Sequence, residues 1–390
     1  MNSVGGSHVA TRLVMIALAA TVAACRSTGA DVGASSASDV RRMVHRTQVR
    51  VPGQDGVHTS RIPACAVTNE GTLLAVYDAR WKHSGDLPAD VDVVLQTSTD
   101  RGLTWSPMRR IIDFDAAEPG SKGNGVGDPA ILVDRVTGDI LVVALWSFGD
   151  RGWNGSRPGL SKEETGQCVL VRSSDGGRSW SAPVSITPSV KDPSWHLFFQ
   201  GPGNGITLRD GTLVFPAQWR GADRVAHSAF MWSTDRGATW RVSPPAHPGK
   251  APTSESAIAE ASDGSLVLSM RDETRSGRRL FARWRFDGDI AKGSWSPTWA
   301  PFEDPTCMAS MIRLPNGRLL HANAADPKRR VRLALRESSD DGSTWSQPWI
   351  VDSGKCAYSS LVAFEDGDVG VLFEHGLADS IGWMSFVLAR

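Results

Sequence analysis

Four copies of one eight-residue pattern constrain the fold of this chain more than any other feature. The copies fit S-x-D-x-G-x-[ST]-W and lie at residues 98–105, 173–180, 233–240 and 338–345. In each copy we expect the aspartate to accept hydrogen bonds from turn amides and the glycine to adopt positive φ. The tryptophan then opens the next strand and packs between sheets. The octads are therefore interpreted as recurring β-hairpin turns that serve the fold rather than chemistry.

The segments between the octads predict short strands. Runs such as GTLLAVYDA, GTLVFPAQW and GSLVLSMRD alternate in polarity and are entered through glycine turns, and no segment has a long helical period. A degraded fifth copy ends at Trp295, and the two chain ends are expected to close one further sheet. Repeats of this kind, each a small antiparallel sheet, are typical of propellers. The sequence therefore predicts an all-β, six-bladed β-propeller.

The N-terminal segment predicts export. Arg12 precedes a short apolar run at residues 13–24, which is too short to span a bilayer comfortably. The ending VAAC resembles a lipobox, in which Cys25 becomes the lipidated first residue. We expect a lipoprotein-type signal peptide at 1–24, a flexible tether at 25–45 and the propeller domain at 46–390. The expected location is the cell envelope, with the membrane reached only through the lipid anchor; the alternative is an ordinary signal and a secreted protein.

Charge and cysteine content exclude other classes. Lysine plus arginine and aspartate plus glutamate both number 42, and no basic run dominates, so no nucleic-acid partner is expected. The remaining cysteines are widely spaced and lack metal-ligand spacing. They are predicted to be buried small residues, with one bridge at most, and neither a metal nor an organic cofactor is expected. These cysteines are Cys65, Cys168, Cys307 and Cys356.

Tyr358 is unusual for its residue type. The chain has only two tyrosines but fifteen tryptophans and twelve phenylalanines, so aromatic bulk is not scarce. Tyr358 stands in CAYSSLVAFEDGDVGVLFE, ahead of an apolar strand that ends at Glu374. Because a phenylalanine would fill a core position, the phenolic oxygen is what needs an explanation.

An ordered set of motifs in residues 50–390 resembles the bacterial exo-α-sialidases, glycoside hydrolases that remove terminal sialic acid. The motifs are RIPA at 61–64, the four octads (called Asp-boxes), DLPADVDVV from residue 86, SESAIAEASDGSLVLSMRD, and YSSL with LFE near the C-terminus. Asp-boxes alone are weak evidence, because several propeller families contain them. The resemblance implies retaining hydrolysis of α-ketosidic sialic acids on glycoproteins, glycolipids or oligosaccharides.

The resemblance also implies a cluster of arginines for the substrate carboxylate. A guanidinium meets a carboxylate bidentately and keeps its charge. The arginines implied are Arg61, Arg271 and Arg330. Arg330 is chosen because it lies ten residues before the last box aspartate, Asp340, and Arg329 and Arg332 are the alternatives. Glu374 is expected to pair with Arg61 and hold it in place.

The resemblance gives Tyr358 the role of nucleophile. Most retaining glycosidases use a carboxylate, with sialidases a known exception. A second carboxylate next to the substrate's own would be repelled by roughly 4 kcal/mol at 4 Å and an effective dielectric near 20. A phenol avoids this repulsion but needs a base. The resemblance assigns the base to Glu255 and the acid/base to Asp86, with Asp90 and Asp92 as alternatives.

Other functions remain open at the level of sequence. A related enzyme could transfer the sugar to an acceptor or act on another nonulosonic acid, and a propeller without catalysis could only bind sialoglycans. The joint presence of the reacting residues argues against the binding protein. Trp195 and Gln200 are candidates for the pocket wall, and a structural role is equally expected for both.

Overall fold

The computed structural model describes residues 41–249, 251–376 and 382–390. The predicted signal peptide, Cys25 and most of the predicted tether lie outside the described residues. Strand β1 begins at Met43, slightly before the boundary predicted at residue 46. The described helices are short: α1 is Thr187–Val190, and two 3-10 turns lie at Gln54–Gly56 and Ile290–Lys292. None of the helices in the described ranges has the length and apolarity needed to cross a membrane.

The described chain is almost entirely β. The strands of the first half are β1 Met43–Arg50, β2 Thr59–Val67, β3 Leu73–Arg80, β4 Val91–Ser98, β5 Arg109–Ile112, β6 Val126–Val133, β7 Ile140–Trp146, β8 Gln167–Ser173, β9 Val184–Ser185, β10 Leu197–Gln200, β11 Gly203–Asn204 and β12 Ile206–Thr207. Those of the second half are β13 Leu213–Arg220, β14 Ala226–Ser233, β15 Arg241–Val242, β16 Thr253–Glu260, β17 Leu266–Asp272, β18 Leu280–Arg285, β19 Ser294–Trp295, β20 Ser310–Arg313, β21 Leu319–Ala324, β22 Val331–Ser338, β23 Trp349–Ala363, β24 Val369–His375 and β25 Trp383–Ala389.

These strands form small antiparallel sheets in chain order. Three have the orders β2-β3-β4-β5, β16-β17-β18-β19 and β10-β13-β14-β15, and in a fourth β6-β7-β8-β9 is joined by the parallel strand β11. The largest sheet runs β1-β25-β24-β23-β22-β21-β20. It consists of two four-stranded sets that share β23, whose first half pairs with β22 and second half with β24.

The hydrophobic core is divided into layers between successive sheets, and the layers close into a ring. One layer joins β2–β4 to β6–β8, and the next ones join β6–β8 to β13 and β14, then β14 to β16–β18. Further layers link β16–β18 with β20 and β21, and β21–β22 with β23–β25. The last layer returns from β24 and β25 to β2–β4. This closed arrangement is a β-propeller, and it is consistent with the six blades that the sequence predicts.

The four Asp-boxes are identical hairpin turns between the third and fourth strand of a set. In each box the serine hydroxyl accepts the glycine N–H at 2.7–2.9 Å. The aspartate Oδ1 accepts the amide of the Thr or Ser at 2.8–2.9 Å, and its Oδ2 accepts that residue's hydroxyl. These contacts are the turn chemistry that the pattern predicts.

The strand register shows at which end of the strands the boxes lie. In the first set Arg61 pairs with Asp78 near one end, whereas Ser98 of the first box pairs with Leu73 at the other end. The fourth box begins at Ser338, which pairs with Leu319, while Arg330 precedes the opposite end of β22. Residues that the sequence assigns to chemistry and those that it assigns to turns therefore lie at opposite ends of the strands.

Candidate active site

Tyr358 lines a cleft of about 290 Å³ at the end opposite the boxes. It stands on β23 beside a register shift against β24 and is 6 % exposed. Its hydroxyl donates a hydrogen bond to Oε1 of Glu255 on β16, and it accepts one from Nη1 of Arg271 at 3.2 Å. The phenol of Tyr358 is thus in direct contact with a carboxylate and a guanidinium.

Arg61 is turned into the cleft by an irregularity in β2. The register of β2 against β3 shifts between Arg61 and Ala64, and Ile62 has a φ of 57°; such bulges re-aim side chains. Nε of Arg61 lies 2.8 Å from Oε1 of the buried Glu374, which also accepts the N–H of Ile62 at 2.7 Å. Glu374 therefore fixes both the backbone and the guanidinium of Arg61.

The other two arginines differ in their partners. Nη1 of Arg271, at the end of β17, lies 2.8 Å from Oε2 of Glu255, and its Nε lies 2.9 Å from Glu273. Arg330 donates from Nη2 to the carbonyl of Thr306 at 3.1 Å and pairs with no carboxylate within the described ranges. The guanidinium carbons of Arg61 and Arg330 lie 5.5 and 5.8 Å from the ring centroid of Tyr358. All three arginines line the cleft.

Asp86 lines the same cleft from the loop between β3 and β4. Its side chain is 84 % exposed, and its Oδ1 accepts a hydrogen bond from Nη1 of Arg80 at 2.7 Å. Desolvation raises the pKa of Asp86, but the charges of Arg80 and Arg61 outweigh it, so the pKa lies below its usual value. In the free protein Asp86 is therefore a carboxylate at neutral pH.

Burial keeps the phenol of Tyr358 protonated. Desolvation and the charge of Glu255 raise the pKa of Tyr358 well above 10, and Arg271 and Arg330 only partly oppose them. A phenolate would be expensive in this site unless the proton passes to a neighbouring base at the moment of reaction. Glu255 is the base in hydrogen-bond contact.

The walls of the cleft and a second cavity complete the geometry. One wall is apolar and consists of Leu87, Leu145, Trp153 and Phe199. A larger cavity of about 790 Å³ opens at the box end of the sheets, between residues such as Cys65 and Asn204. The residues lining this second cavity include no tyrosine, so we place the candidate active site in the smaller cleft.

The structure separates the residues that sequence left as alternatives. Arg329 is mostly exposed and pairs with Asp326, and Arg332 is exposed on β22, so Arg330 is the one that reaches the cleft. Asp90 pairs with Lys82, and Asp92 accepts the indole N–H of Trp81, outside the cleft.

The two candidates for the pocket wall have structural roles. Trp195 stacks on Trp219 with ring centroids 4.5 Å apart, and neither residue is among those that line the cleft. Gln200 is buried and donates a hydrogen bond to the carbonyl of Asp128. All four cysteines of the described residues are free and buried.

Sequence reasoning missed several residues around the cleft: Asp78, Arg80, Asp128, Trp153, Gln218 and Glu273. For Asp78 and Arg80 a signal existed, because charges at the end of the apolar run LLAVYDAR are unusual in a buried strand. Trp153 lies in a long loop after β7, and nothing in its local sequence indicates where the side chain lies.

The three arginines of the cleft suit an anionic ligand, and the neutral phenol with its adjacent carboxylate can act as a nucleophile toward that ligand. The fold and site thus define a propeller that can bind and react with an anionic ligand. The family model of the BNR repeat-like domain matches residues 60–371. The chain is 40 % identical over 351 residues to a sialidase of Bacteroides fragilis, covering 85 % of this chain and 62 % of that protein. It is 33 % identical over 388 residues to a sialidase of Micromonospora viridifaciens, covering 95 % and 58 %.

A solved structure of a sialidase is similar to this chain as well. The Hadza microbial sialidase Hz136 superposes with a TM-score of 0.81 at 38 % identity, covering 88 % of this chain and 68 % of that one. The chain therefore belongs to the BNR-repeat sialidase family, and the predicted sialidase-type β-propeller is confirmed; the number of blades stays a prediction. The chain spans about 60 % of the length of these two curated relatives.

Proposed function

We propose that the protein is a retaining exo-α-sialidase that releases terminal, α-ketosidically linked sialic acids from glycoconjugates. The observation that carries the proposal is the hydrogen bond from the Tyr358 hydroxyl to Glu255, next to three convergent arginines. An α-ketoside of sialic acid carries its carboxylate on the anomeric carbon. A ligand whose carboxylate lies on the arginines therefore brings that carbon close to the phenol.

In the first half of the reaction, the Tyr358 oxygen attacks the anomeric carbon as Glu255 takes the phenolic proton. The bond from the anomeric carbon to the leaving oxygen breaks, and Asp86 gives that oxygen a proton. The products are a glycosyl-tyrosine, a protonated Glu255, an ionised Asp86 and the free aglycone hydroxyl. Net charge is conserved, because Glu255 gains one proton while Asp86 loses one.

In the second half, water attacks the anomeric carbon from the face that the aglycone left. Asp86 removes a proton from the water, and Glu255 returns its proton to the departing phenol oxygen. Two inversions at one carbon give retention. The cycle regenerates a protonated Asp86 and an ionised Glu255 and consumes one water molecule.

Substrate binding itself favours the acid form of Asp86. The charges of Arg61 and Arg330 contribute to the lowered pKa of Asp86 in the free protein. A substrate carboxylate bound to these arginines offsets both charges, so the pKa of Asp86 rises in the complex. Binding therefore shifts Asp86 toward the protonated form that the first step needs, although the charge of Arg80, the strongest one that lowers this pKa, stays in contact with Asp86.

A covalent trap tests the proposal. The purified protein should release the fluorophore from an aryl α-ketoside of N-acetylneuraminic acid, with the α-anomer of the free sugar as first product by NMR. A 3-fluoro sialosyl fluoride should label Tyr358, as located by peptide mapping. The proposed mechanism is contradicted if the label lies on another residue or if the β-anomer forms first.

The chain offers a matched control for the nucleophile. Tyr358→Phe should lose several orders of magnitude in turnover on natural sialosides and still bind an unreactive sialic acid analogue, since the arginines are untouched. Tyr77 is the other tyrosine; it is buried in the first sheet, and its hydroxyl donates to Gln96 at 2.5 Å. Tyr77→Phe should lower stability slightly and leave turnover unchanged.

We further propose that the protein is exported and anchored by a lipid on Cys25, with sialylated glycoproteins, glycolipids or oligosaccharides as its substrates. The support is the VAAC ending after a short apolar run. A labelled fatty acid should enter the wild-type protein and not Cys25→Ala. Incorporation that persists in Cys25→Ala, or fails in the wild type, would point to an ordinary signal and a secreted protein.

A further inference from the structure

Two buried charged residues, Asp78 and Arg80, lie at the end of β3 next to the Asp86 loop. Both side chains are 2 % exposed, and their strand is otherwise apolar. A buried ion pair is weak evidence for stability, because apolar residues of similar volume often serve as well or better. Stability alone therefore does not account for this pair, whose contacts reach Asp86 and Asp128 of the cleft.

Arg80 connects the strand to the loop that carries Asp86. Oδ2 of Asp78 accepts hydrogen bonds from Nε and Nη2 of Arg80 at 3.2 and 3.0 Å. The remaining nitrogen, Nη1, donates to Oδ1 of Asp86 and to the carbonyl of Ser84, both at 2.7 Å. One side of the guanidinium is thus fixed by a buried carboxylate, and the other side contacts the exposed loop at two points.

Asp78 is itself fixed from the neighbouring sheet. Its Oδ1 accepts the backbone N–H of Asp128 at 2.9 Å, and Asp128 has a φ of 56° beside a register shift in β6. A Cβ added to Gly127 would lie 3.0–3.2 Å from the carboxylate of Asp78, so the missing side chain leaves room for this contact. The position of Asp78 therefore depends on contacts within two sheets and not on the loop that carries Asp86.

We propose that Asp78 is a positioning residue that acts through Arg80 to hold the carboxyl group of Asp86 where the leaving oxygen needs its proton. The proposal rests on the proposed sialidase function. Asp86 is 84 % exposed, so no packing of its own side chain orients it. A proton donor helps only within hydrogen-bond reach of the leaving oxygen, so displacement of Asp86 removes general acid catalysis.

Asp78→Asn tests this role because the change is isosteric. Arg80 and the Asp128 N–H donate to different oxygens of Asp78, and in asparagine one of these two positions becomes an NH2 group, which would face a donor instead of accepting from it. For a natural sialoside with a poor leaving group, kcat/KM should fall roughly 100-fold, within the range of general acid catalysis. For an aryl sialoside with a good leaving group, the loss should stay below roughly fivefold, because that group needs little protonation.

A double-mutant cycle separates positioning from a general structural defect. In an Asp86→Ala background, Asp78→Asn should cost less than roughly threefold on either substrate, because the residue through which it acts is gone. Equal losses on both substrates, or the same factor in both backgrounds, would overturn the proposal. Should Asp78→Asn not fold, Arg80→Lys carries the same test, since an ammonium cannot span the two carboxylates.

The control is a buried aspartate that pairs with a partly exposed arginine far from the cleft. Asp134 is buried and lies 3.2 Å from Arg236 of the third Asp-box. Asp134→Asn should lower thermal stability and leave the ratio of the two substrates unchanged. The wild-type protein serves as the separate test of the proposed function: if it fails to hydrolyse the aryl sialoside, the function is wrong, whereas a wild-type ratio in Asp78→Asn refutes only the positioning role.

Discussion

Arg330 is the arginine of the cleft whose charge is least compensated. Arg61 is paired with Glu374, and Arg271 lies between Glu255 and Glu273. Among the described residues the guanidinium of Arg330 has only the carbonyl of Thr306 as a hydrogen-bond partner. A carboxylate that binds to Arg330 therefore does not compete with an existing ion pair, so this guanidinium is available to an incoming anion.

We expect Arg330→Ala to lower kcat/KM for an aryl sialoside roughly 10- to 100-fold, mainly through a higher KM, because one charge-assisted contact is worth about 1.5–3 kcal/mol. Arg329→Ala is the neighbouring control; its side chain is 75 % exposed and pairs with Asp326. Steady-state kinetics on both variants check the prediction. A larger loss in Arg329→Ala than in Arg330→Ala would show that the wrong arginine was chosen.

Residue roles were only partly predictable from the sequence, for a physical reason. Tyr358, Glu255 and Arg271 stand in motifs that specify both residue type and position, and the cleft brings them together. The choice of Arg330 over its neighbours depends on which side chain β22 turns toward the cleft. Asp78 and Arg80 matter through contacts with a loop and a neighbouring sheet, and no local pattern encodes such contacts.

At the scale of elements, the Asp-boxes make the stability of the folded state depend on pH. The hydrogen bonds in each box favour the ionised aspartate, and in the third box they lower the pKa of Asp235 to about 2, with the Thr239 hydroxyl as the main donor. A depressed pKa stabilises the folded state at pH values above that of the unfolded chain, near 3.9. The stabilisation is lost as pH falls from about 4 to about 2.

Asp235→Ala should therefore lower the Tm at pH 7 by roughly 1–4 °C, and the difference from wild type should disappear near pH 2. Thermal melts from pH 7 to pH 2 followed by circular dichroism measure both effects. Asp287→Ala in the degraded fifth hairpin is the control. The side chain of Asp287 is exposed like that of Asp235 but, within the described ranges, accepts none of the turn hydrogen bonds that Asp235 accepts. A pH-independent loss in Asp235→Ala would mean that packing, rather than the ionised carboxylate, stabilises the hairpin.

The elements were more predictable than the site. The octads specify hairpins by local turn chemistry, so their positions and contacts agree with the structure in all four copies. The short parallel strand β11 and the bulges at Arg61 and Gly127 have no comparable local signal. They arise where strands of different sheets meet.

At the scale of the whole molecule, the ring is closed by the pairing of β1 with β25. Residues from Met43 to Arg50 pair with residues from Ala389 back to Met384, so the beginning and the end of the described chain share one sheet. Val49 is buried in the layer that joins this sheet to β2–β4. Without β1, the strand β25 would become an unpaired edge, and such edges promote aggregation.

A protein that begins at residue 51 should therefore melt roughly 10 °C or more below one that begins at residue 41, because several interstrand hydrogen bonds of about 1 kcal/mol each are lost. Differential scanning calorimetry of the two forms, with light scattering to detect aggregation, measures the effect. Both forms lack the predicted signal peptide and lipid anchor, so the comparison isolates β1. Adding a peptide of residues 41–50 should restore part of the lost stability, because the vacant edge of β25 accepts it. Equal melting temperatures for the two forms would show that the remaining strands close the ring without β1.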